Sequence, residues 1–485
     1  MSKPYVMPSH SIVAEPELLF HPDRIQDRHT HPLRGLLEHG PFSRSLVNTV
    51  FDPIRVASIY PHGFRERARS FFREFEMRHV AKERKAYLID FPGFSRVFGL
   101  RLSASIPECQ IELPASLDDE IAGSKQPHLR LAEALTGALN RLNSFRNEFD
   151  VVLIYLPDRW KPAFKGKADD FDLHDYIKAI GAARGVATQI VREDSALEYF
   201  CRASVMWRLG IALYCKAGGV PWKLAEQDPE TAYIGLSYAV RASSEDGPED
   251  KPRFVTCCSQ VFDSDGSGMQ FLAYETDDAY LDRDKENPFL SRSEMRRVMA
   301  RSLSLYQRRH GGRSPKRIVV HKSTEFKDDE VTGCFDAFHA CEAVELYQIQ
   351  QESIWRGVQI NAPRNPGQRT GDPAMYPCGR GTFIPLGTRE ILLWTQGNAP
   401  QATGGKDFYK EGKSVPAPII LKRFAGHGNW IEPSRSVLGL SKMNWNNDSL
   451  YDRLPVTLSY ASILARTIKR MPSIQARPYE FRFFM

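Results

Sequence analysis

Lys216 closes a stretch, "YFCRASVMWRLGIALYCKAGG", whose apolar periodicity predicts one long helix. Gly218-Gly219 stops that helix, and Pro221-Trp222 sends the chain elsewhere. Such a joint serves as punctuation, or it turns its lysine toward an anion. His174 and Lys178 stand four apart in a second predicted helix, "FDLHDYIKAIGAARG", so they share a face. An imidazole and an ammonium on one face suit a terminal phosphate, which carries about −1.5 to −2 charge. They equally suit a solvated surface. "DSDGSG" (263–268) begins like a calcium loop, but Tyr274 occupies its twelfth place, so a tight turn is expected. Gly266-Ser267-Gly268 is no nucleophile elbow, because its serine follows a turn and precedes a strand. The helix "RRVMARSLSLYQRRHGGR" is basic on one face, which fits water or the phosphates of a duplex.

Elements that could hold these residues alternate along the chain. At 485 residues the chain should form two or three domains. Its 42% hydrophobic content is enough for large cores, and no low-complexity tract interrupts it. The net charge of +6 permits nucleic-acid binding without requiring it. No apolar run reaches the ~18 residues of a membrane span, and "MSKPYVMPSH" lacks a signal-peptide core, so a cytoplasmic location is expected. Eight cysteines without CxxC spacing read as buried free thiols. The first 45 residues are rich in Pro and His. Strands are then expected at "FDPIRVASIYP", "KAYLIDFPGF", "DVVLIYLP" and "VATQIV", with helices at "GFRERARSFFREFEMRHV", "HLRLAEALTGALNRLNSF" and the two stretches above. This order predicts a doubly wound, Rossmann-like α/β domain. After the joint come three meandering strands, "TAYIGLSYAVRA", "RFVTCCSQVF" and "MQFLAYE". Helices and strands then alternate through "PKRIVVHK", "AVELYQIQ", "GTFIPLG" and "EILLWTQG" to a last helix, "PVTLSYASILARTIKRM". That is the order of an RNase H-like domain.

The two halves together resemble the MID and PIWI domains of Argonaute proteins. The strings that carry the resemblance are "KAGGVPW", "IGLS", "IVVHKSTEF" and "LPVTLSYASILA", in that order, and it covers about residues 30–485. It implies an N-terminal segment (1–45), a Rossmann-like MID domain (46–220) and an RNase H-like PIWI domain (221–485). N-terminal and PAZ domains find no room, so the resemblance is to short prokaryotic Argonautes.

A MID domain of this family holds the 5′ phosphate of a guide. Carried onto this chain, the pattern falls on His174, Lys178, Gln189 of "GVATQ" and Lys216. Gln189 and the carboxylate of Met485 are the expected Mg²⁺ ligands. In cleaving members the PIWI domain supplies four metal-binding residues, because two Mg²⁺ ions need hard oxygen ligands. The first position falls on Ser237 of Gly235-Leu236-Ser237, the second on Lys322 of "RIVVHKS", and the fourth near Lys442 and Asn444. Glu294 is a loose match to the third. Lys322 would repel a metal and is expected to touch target phosphate instead. Cleavage is therefore not expected. The resemblance implies a sensor that carries a 5′-phosphorylated guide RNA and recognises single-stranded DNA by base pairing. It implies, as partner, an APAZ-containing effector with a sirtuin-like, TIR or nuclease domain. Detection of plasmid or phage DNA would then deplete NAD or kill the cell. Two rivals stand beside this reading. One is an active nuclease using Asp263, Asp265 or Asp448; the other is a guide-independent single-strand binder.

Overall fold

The computed structural model describes residues 9–46, 49–166, 171–225, 228–241, 254–276, 279–282, 287–364, 367, 371–409, 414–446, 449–470 and 478–485. The chain divides into two compact units. One comprises residues 18–223, 445–448 and 463–485, and the other residues 1–17, 224–444 and 449–462.

The first unit is a parallel α/β layer. Its strands are β1 (Ile54–Tyr60), β2 (Leu102–Ala104), β3 (Gln110–Glu112), β4 (Val151–Leu156) and β5 (Ala187–Arg192). β4 is central, pairing in parallel with β1 and β5, and all six of its residues are buried. A strand covered on both faces must be apolar throughout, which explains "VVLIYL". β2 and β3 both pair with the outer edge of β1, at Ile54–Val56 and Ser58–Tyr60 respectively. The strand expected at "KAYLIDFPGF" does not form. Pro92 cannot donate a ladder bond. Gly93 takes φ +115°, and a Cβ there would lie 2.9 Å from the Glu76 carbonyl oxygen. The helices are α1 (Arg65–Glu74), α2 (Pro127–Asn143), α3 (Leu173–Arg184) and α4 (Arg202–Lys216). Leu131, Leu135, Leu139 and Leu142 of α2 join Val152, Ile154, Ile177 and Ile180 in one core. α4 is buried on nearly every side, as its all-round apolar sequence requires.

The second unit is built on a mixed sheet. Its strands are β6 (Thr231–Arg241), β7 (Phe254–Asp263), β8 (Gly268–Thr276), β9 (Arg317–Lys322), β10 (Ala343–Gln350), β11 (Thr382–Pro385), β12 (Glu390–Leu393) and β13 (Ile419–Ala425). They run in the order β11-β12-β13-β10-β9-β6-β7-β8, with β6, β9 and β10 mutually parallel. The meander β6-β7-β8 is antiparallel, and Asp263 to Gly268 is its tight turn. Helices α5 (Arg292–Arg309) and α6 (Asp328–Ala337) cover one face and share its core with Leu236, Ile318 and Val320. Helices α7 (Ile431–Leu440) and α8 (Val456–Arg470) follow. Gly235 of β6 lies under α8, where a Cβ would stand 1.9 Å from the Thr457 carbonyl oxygen. His321 of β9 shares that face and hydrogen-bonds Thr457 Oγ1 through Nδ1 at 2.9 Å. The Ser11–Ile12 strand pairs with β11. Just beyond it, Glu15 is buried between Arg380 (2.8 Å) and Lys442 (2.9 Å), two cations with no exposed side-chain surface. No helix among the described residues is long and apolar enough to cross a membrane.

Candidate phosphate pocket and degenerate metal site

Asp172 begins α3. Its carboxylate accepts from the backbone N–H of His174 (3.0 Å) and Asp175 (3.3 Å), a regular N-cap. Asp175 is buried and lies 3.5 Å from the His174 ring. Asp172, His174 and Asp175 bring their ligand atoms within 4.8 Å of one another. The cap and the ion pair account for that cluster. One turn further on, Lys178 is buried, and its ammonium donates to the Thr188 carbonyl (3.1 Å) and to the main-chain oxygen of Met485. Lys216 ends α4 with no exposed surface and donates to Gln189 Oε1. Gly218 then adopts φ +104°, and Gly219 packs against Tyr214 so closely that a Cβ would meet the ring at 2.3 Å. The two glycines let the backbone leave the helix at once, so the last side chain stays inside.

Two buried ammonium groups thus stand together, with α3, β5, α4 and the chain's last residue around them. Burial lowers the Lys178 pKa to about 8. Burial and the neighbouring Lys178 push Lys216 well below its ordinary value. His174 is half exposed. Partial desolvation lowers its pKa, opposed by Asp175 and aided by Lys178. Asp175 and the Met485 oxygen lie against Lys178, while Lys216 donates to the neutral amide of Gln189. His174, Lys178, Gln189 and Lys216, read from three separate segments, are here brought together. Two neighbours carry no signal in the sequence: the Thr188 carbonyl, whose contribution is backbone, and Asp175.

A pH dependence follows. In the unfolded chain Lys178 keeps its proton up to about 10.5, while the folded chain releases it near 8. Between those values the unfolded state binds more protons, so stability rises with pH. Lys178→Met removes this term. Urea unfolding of the guide-free protein in chelator should show the variant's advantage over wild type shrinking from pH 7 to pH 9.5. A gap that stays constant would contradict the buried-lysine assignment.

Among the positions matched to the family's metal site, Lys322 departs from expectation. β6 and β9 pair in parallel with Leu236 opposite Lys322. Side chains alternate across a strand, so Lys322 shares the Leu236 face and not that of Ser237. It points into the core, where Nζ reaches both carboxylate oxygens of Glu330 at 2.7 Å. The rings of Tyr238, Phe289 and Phe326 surround the ammonium at 4.9–5.3 Å. Lys322 therefore faces neither metal nor target phosphate. The next residue, Ser323, is exposed and lies just past the end of β9. Lys442 is likewise internal, bound to Glu15 and to the Pro16 carbonyl (2.7 Å). Asn444 donates to Asp452 (2.6 Å) and accepts from Tyr460 (2.9 Å). Glu294 pairs with Arg297. Asp263 pairs with His310 (3.1 Å) and Asp265 caps the β7–β8 turn at Ser267 N (3.0 Å). Asp448 lies outside the described residues. The arginines of α5 at 296, 297, 301, 308 and 309 are all exposed, as the basic-face reading requires.

No family model matches the sequence, and no curated protein matches it. Solved structures do. Clostridium butyricum Argonaute bound to a guide DNA and a 19-mer target DNA matches 98% of this chain at 14% identity and TM-score 0.64. Aquifex aeolicus Argonaute matches 99% at 16% identity and TM-score 0.59, and Drosophila Piwi 98% at 13% identity and TM-score 0.59. The chain spans 55%, 57% and 56% of those proteins respectively. The sequence of strands and helices, the two-unit division and these matches together give the chain the MID–PIWI fold of Argonaute and Piwi proteins.

Proposed function

We propose that this chain is a guide-carrying nucleic-acid sensor that does not cut its target. The observation that carries the reading is the buried pair Lys178–Lys216 beside Gln189 in the Rossmann-like unit. A strand's 5′ phosphate brings the anion that would keep both lysines charged, and His174, half exposed, can stack on the first base. Gln189 Oε1 and the Met485 carboxylate are hard oxygen donors, so they fit Mg²⁺ as a resident ion. When bound, the ion adds the positive charge that lets phosphate and carboxylate share one pocket. Lys178 and Lys216 bind the phosphate and fix the strand's end. Target choice then rests on base pairing, and the protein reads backbone and shape.

Cleavage would need two Mg²⁺ ions held by carboxylates. The first matched position is Ser237, which offers only a hydroxyl, and Lys322 and Lys442 are internal. Guide RNA, single-stranded DNA target and an APAZ-containing effector chain with a sirtuin-like, TIR or nuclease domain complete the reading, as a cytoplasmic defence device against plasmids and phages. The test is a preloaded 5′-phosphorylated RNA guide with matching labelled DNA in Mg²⁺ or Mn²⁺. Intact, retained target is expected. Metal-dependent cutting would overturn the sensor reading.

A further inference from the structure

On the outer edge of β1 the sheet is interrupted. β2 pairs with Ile54–Val56 and β3 with Ser58–Tyr60, and residues 105–109 loop out between them. The gap opens a concavity of about 430 Å³ between the sheet and α1. Gln110 satisfies the backbone at the break, donating through Nε2 to the Val56 carbonyl at 3.2 Å and toward that of Ser105 at 3.4 Å. The floor is made of small or apolar residues, among them Val56, Ser58, Ala68, Ala104 and Pro107. Larger side chains there would fill it. Over this floor α1 presents Phe72 with Arg65, Arg69 and Arg73, one helical face at spacings of three and four. Arg65 leans on Glu112 at 3.4 Å. Arg69 meets Glu66 at 2.7 Å, but both are exposed, so the pair is weak. Arg73 pairs with no carboxylate among the described residues.

We propose that this concavity binds a nucleoside monophosphate. It shares no residue with the Lys178–Lys216 pocket. A volume of this size suits a small ligand, and an apolar floor with a few polar groups is the usual make-up of such sites. The Phe72 ring and the flat floor take the base, since every base offers a π-face. Arg69 and Arg73, one turn apart, take the phosphate in the fork geometry that guanidinium groups favour. Ser58 and Gln110 line the remaining wall and offer hydrogen bonds to sugar or base edge.

The experiment uses the full chain and 8-azido-adenosine 5′-monophosphate, photo-crosslinked and mapped by mass spectrometry, with AMP as competitor. Label is expected within residues 65–73 or 104–110. Arg69→Ala/Arg73→Ala should reduce it about tenfold or more, each charged contact being of that order. Ala104→Trp fills the floor without touching charge and should abolish it. Lys178→Ala/Lys216→Ala, which removes the proposed guide pocket, should leave the label within residues 65–73 and 104–110 unchanged and clear any label at 173–190, which separates the two sites. Label absent, or confined to residues 173–190 and 214–219, would overturn the proposal. So would equal labelling by 8-azidoadenosine, which lacks the phosphate. The arginine variants alter exposed side chains, so the test survives if Ala104→Trp fails to fold.

Discussion

Replacing Lys178 and Lys216 together by alanine is expected to weaken binding of a 5′-phosphorylated strand by about two orders of magnitude or more. Each ammonium is buried, and a hydrogen bond to a charged partner is worth roughly 1.5–3 kcal/mol. Two lost contacts therefore amount to about 3–6 kcal/mol, with tenfold for every ~1.4 kcal/mol. Binding of the same strand with a 5′ hydroxyl should change little, because it brings no terminal anion. The fold should persist, since burial already works against the charge on both lysines. Lys178→Met/Lys216→Met keeps the side-chain volume and guards against a packing defect. Filter binding of the six protein–strand combinations, beside thermal melts, decides the point. A preference for phosphate that survives in the methionine pair would remove these lysines from the pocket.

Glu330→Ala should be the most damaging single change in the second unit. Glu330 has no exposed side-chain surface. It accepts from Lys322 through both oxygens at 2.7 Å, from Tyr238 Oη at 3.1 Å, and from the backbone N–H of Leu290 and Lys327 at 3.2 and 3.1 Å. Its removal takes the counter-charge from the Lys322 ammonium, which keeps the Glu325 carbonyl at 3.1 Å but stays buried among three aromatic rings. Breaking one side of such a pair costs about 3–5 kcal/mol. Lys322→Met/Glu330→Gln removes the charge while keeping an acceptor for the backbone groups. It should recover much of the loss in urea unfolding. Because Lys322 points inward, this double variant should also leave the salt dependence of target binding unchanged. A slope lowered by about 0.7–0.9 would show a lost phosphate contact and place Lys322 back at the surface.

The sequence made most of the fold legible, for physical reasons that also explain the failures. "VVLIYL" is apolar at every position because both its faces are covered, and α4 is apolar all round because it is enclosed. β13 escaped notice because Arg423 interrupts its apolar alternation; in the fold its guanidinium stacks on Trp430 at 4.1 Å. α7, "IEPSRSVLGL", carries a proline, a glycine and two serines, a poor helix composition. Its Pro433 lies in the first turn, where proline is tolerated. At the sites, side-chain type was easier to read than direction. Lys216 closes its helix and Lys178 stands one turn from His174, and both are cations whose chemistry is plain. Lys322 was read as sharing a face with Ser237, but it pairs with Leu236, and a shift of one carries a side chain to the opposite face. Its partner Glu330 lies across a loop on another element, a pairing that no local pattern announces. Glu15 is similar, since it meets Arg380 and Lys442 only in three dimensions.

The central claim is that a buried lysine pair reads a strand's 5′ phosphate so that base pairing can select the target. The most direct test is competition between two RNA strands of one sequence, one 5′-phosphorylated and one 5′-hydroxylated, for the purified chain in Mg²⁺. Capture of complementary and scrambled single-stranded DNA is then measured. The account predicts that the phosphorylated strand wins by about two orders of magnitude and that only complementary DNA is retained, uncut. Equal loading of the two strands, or equal retention of both DNAs, would contradict it.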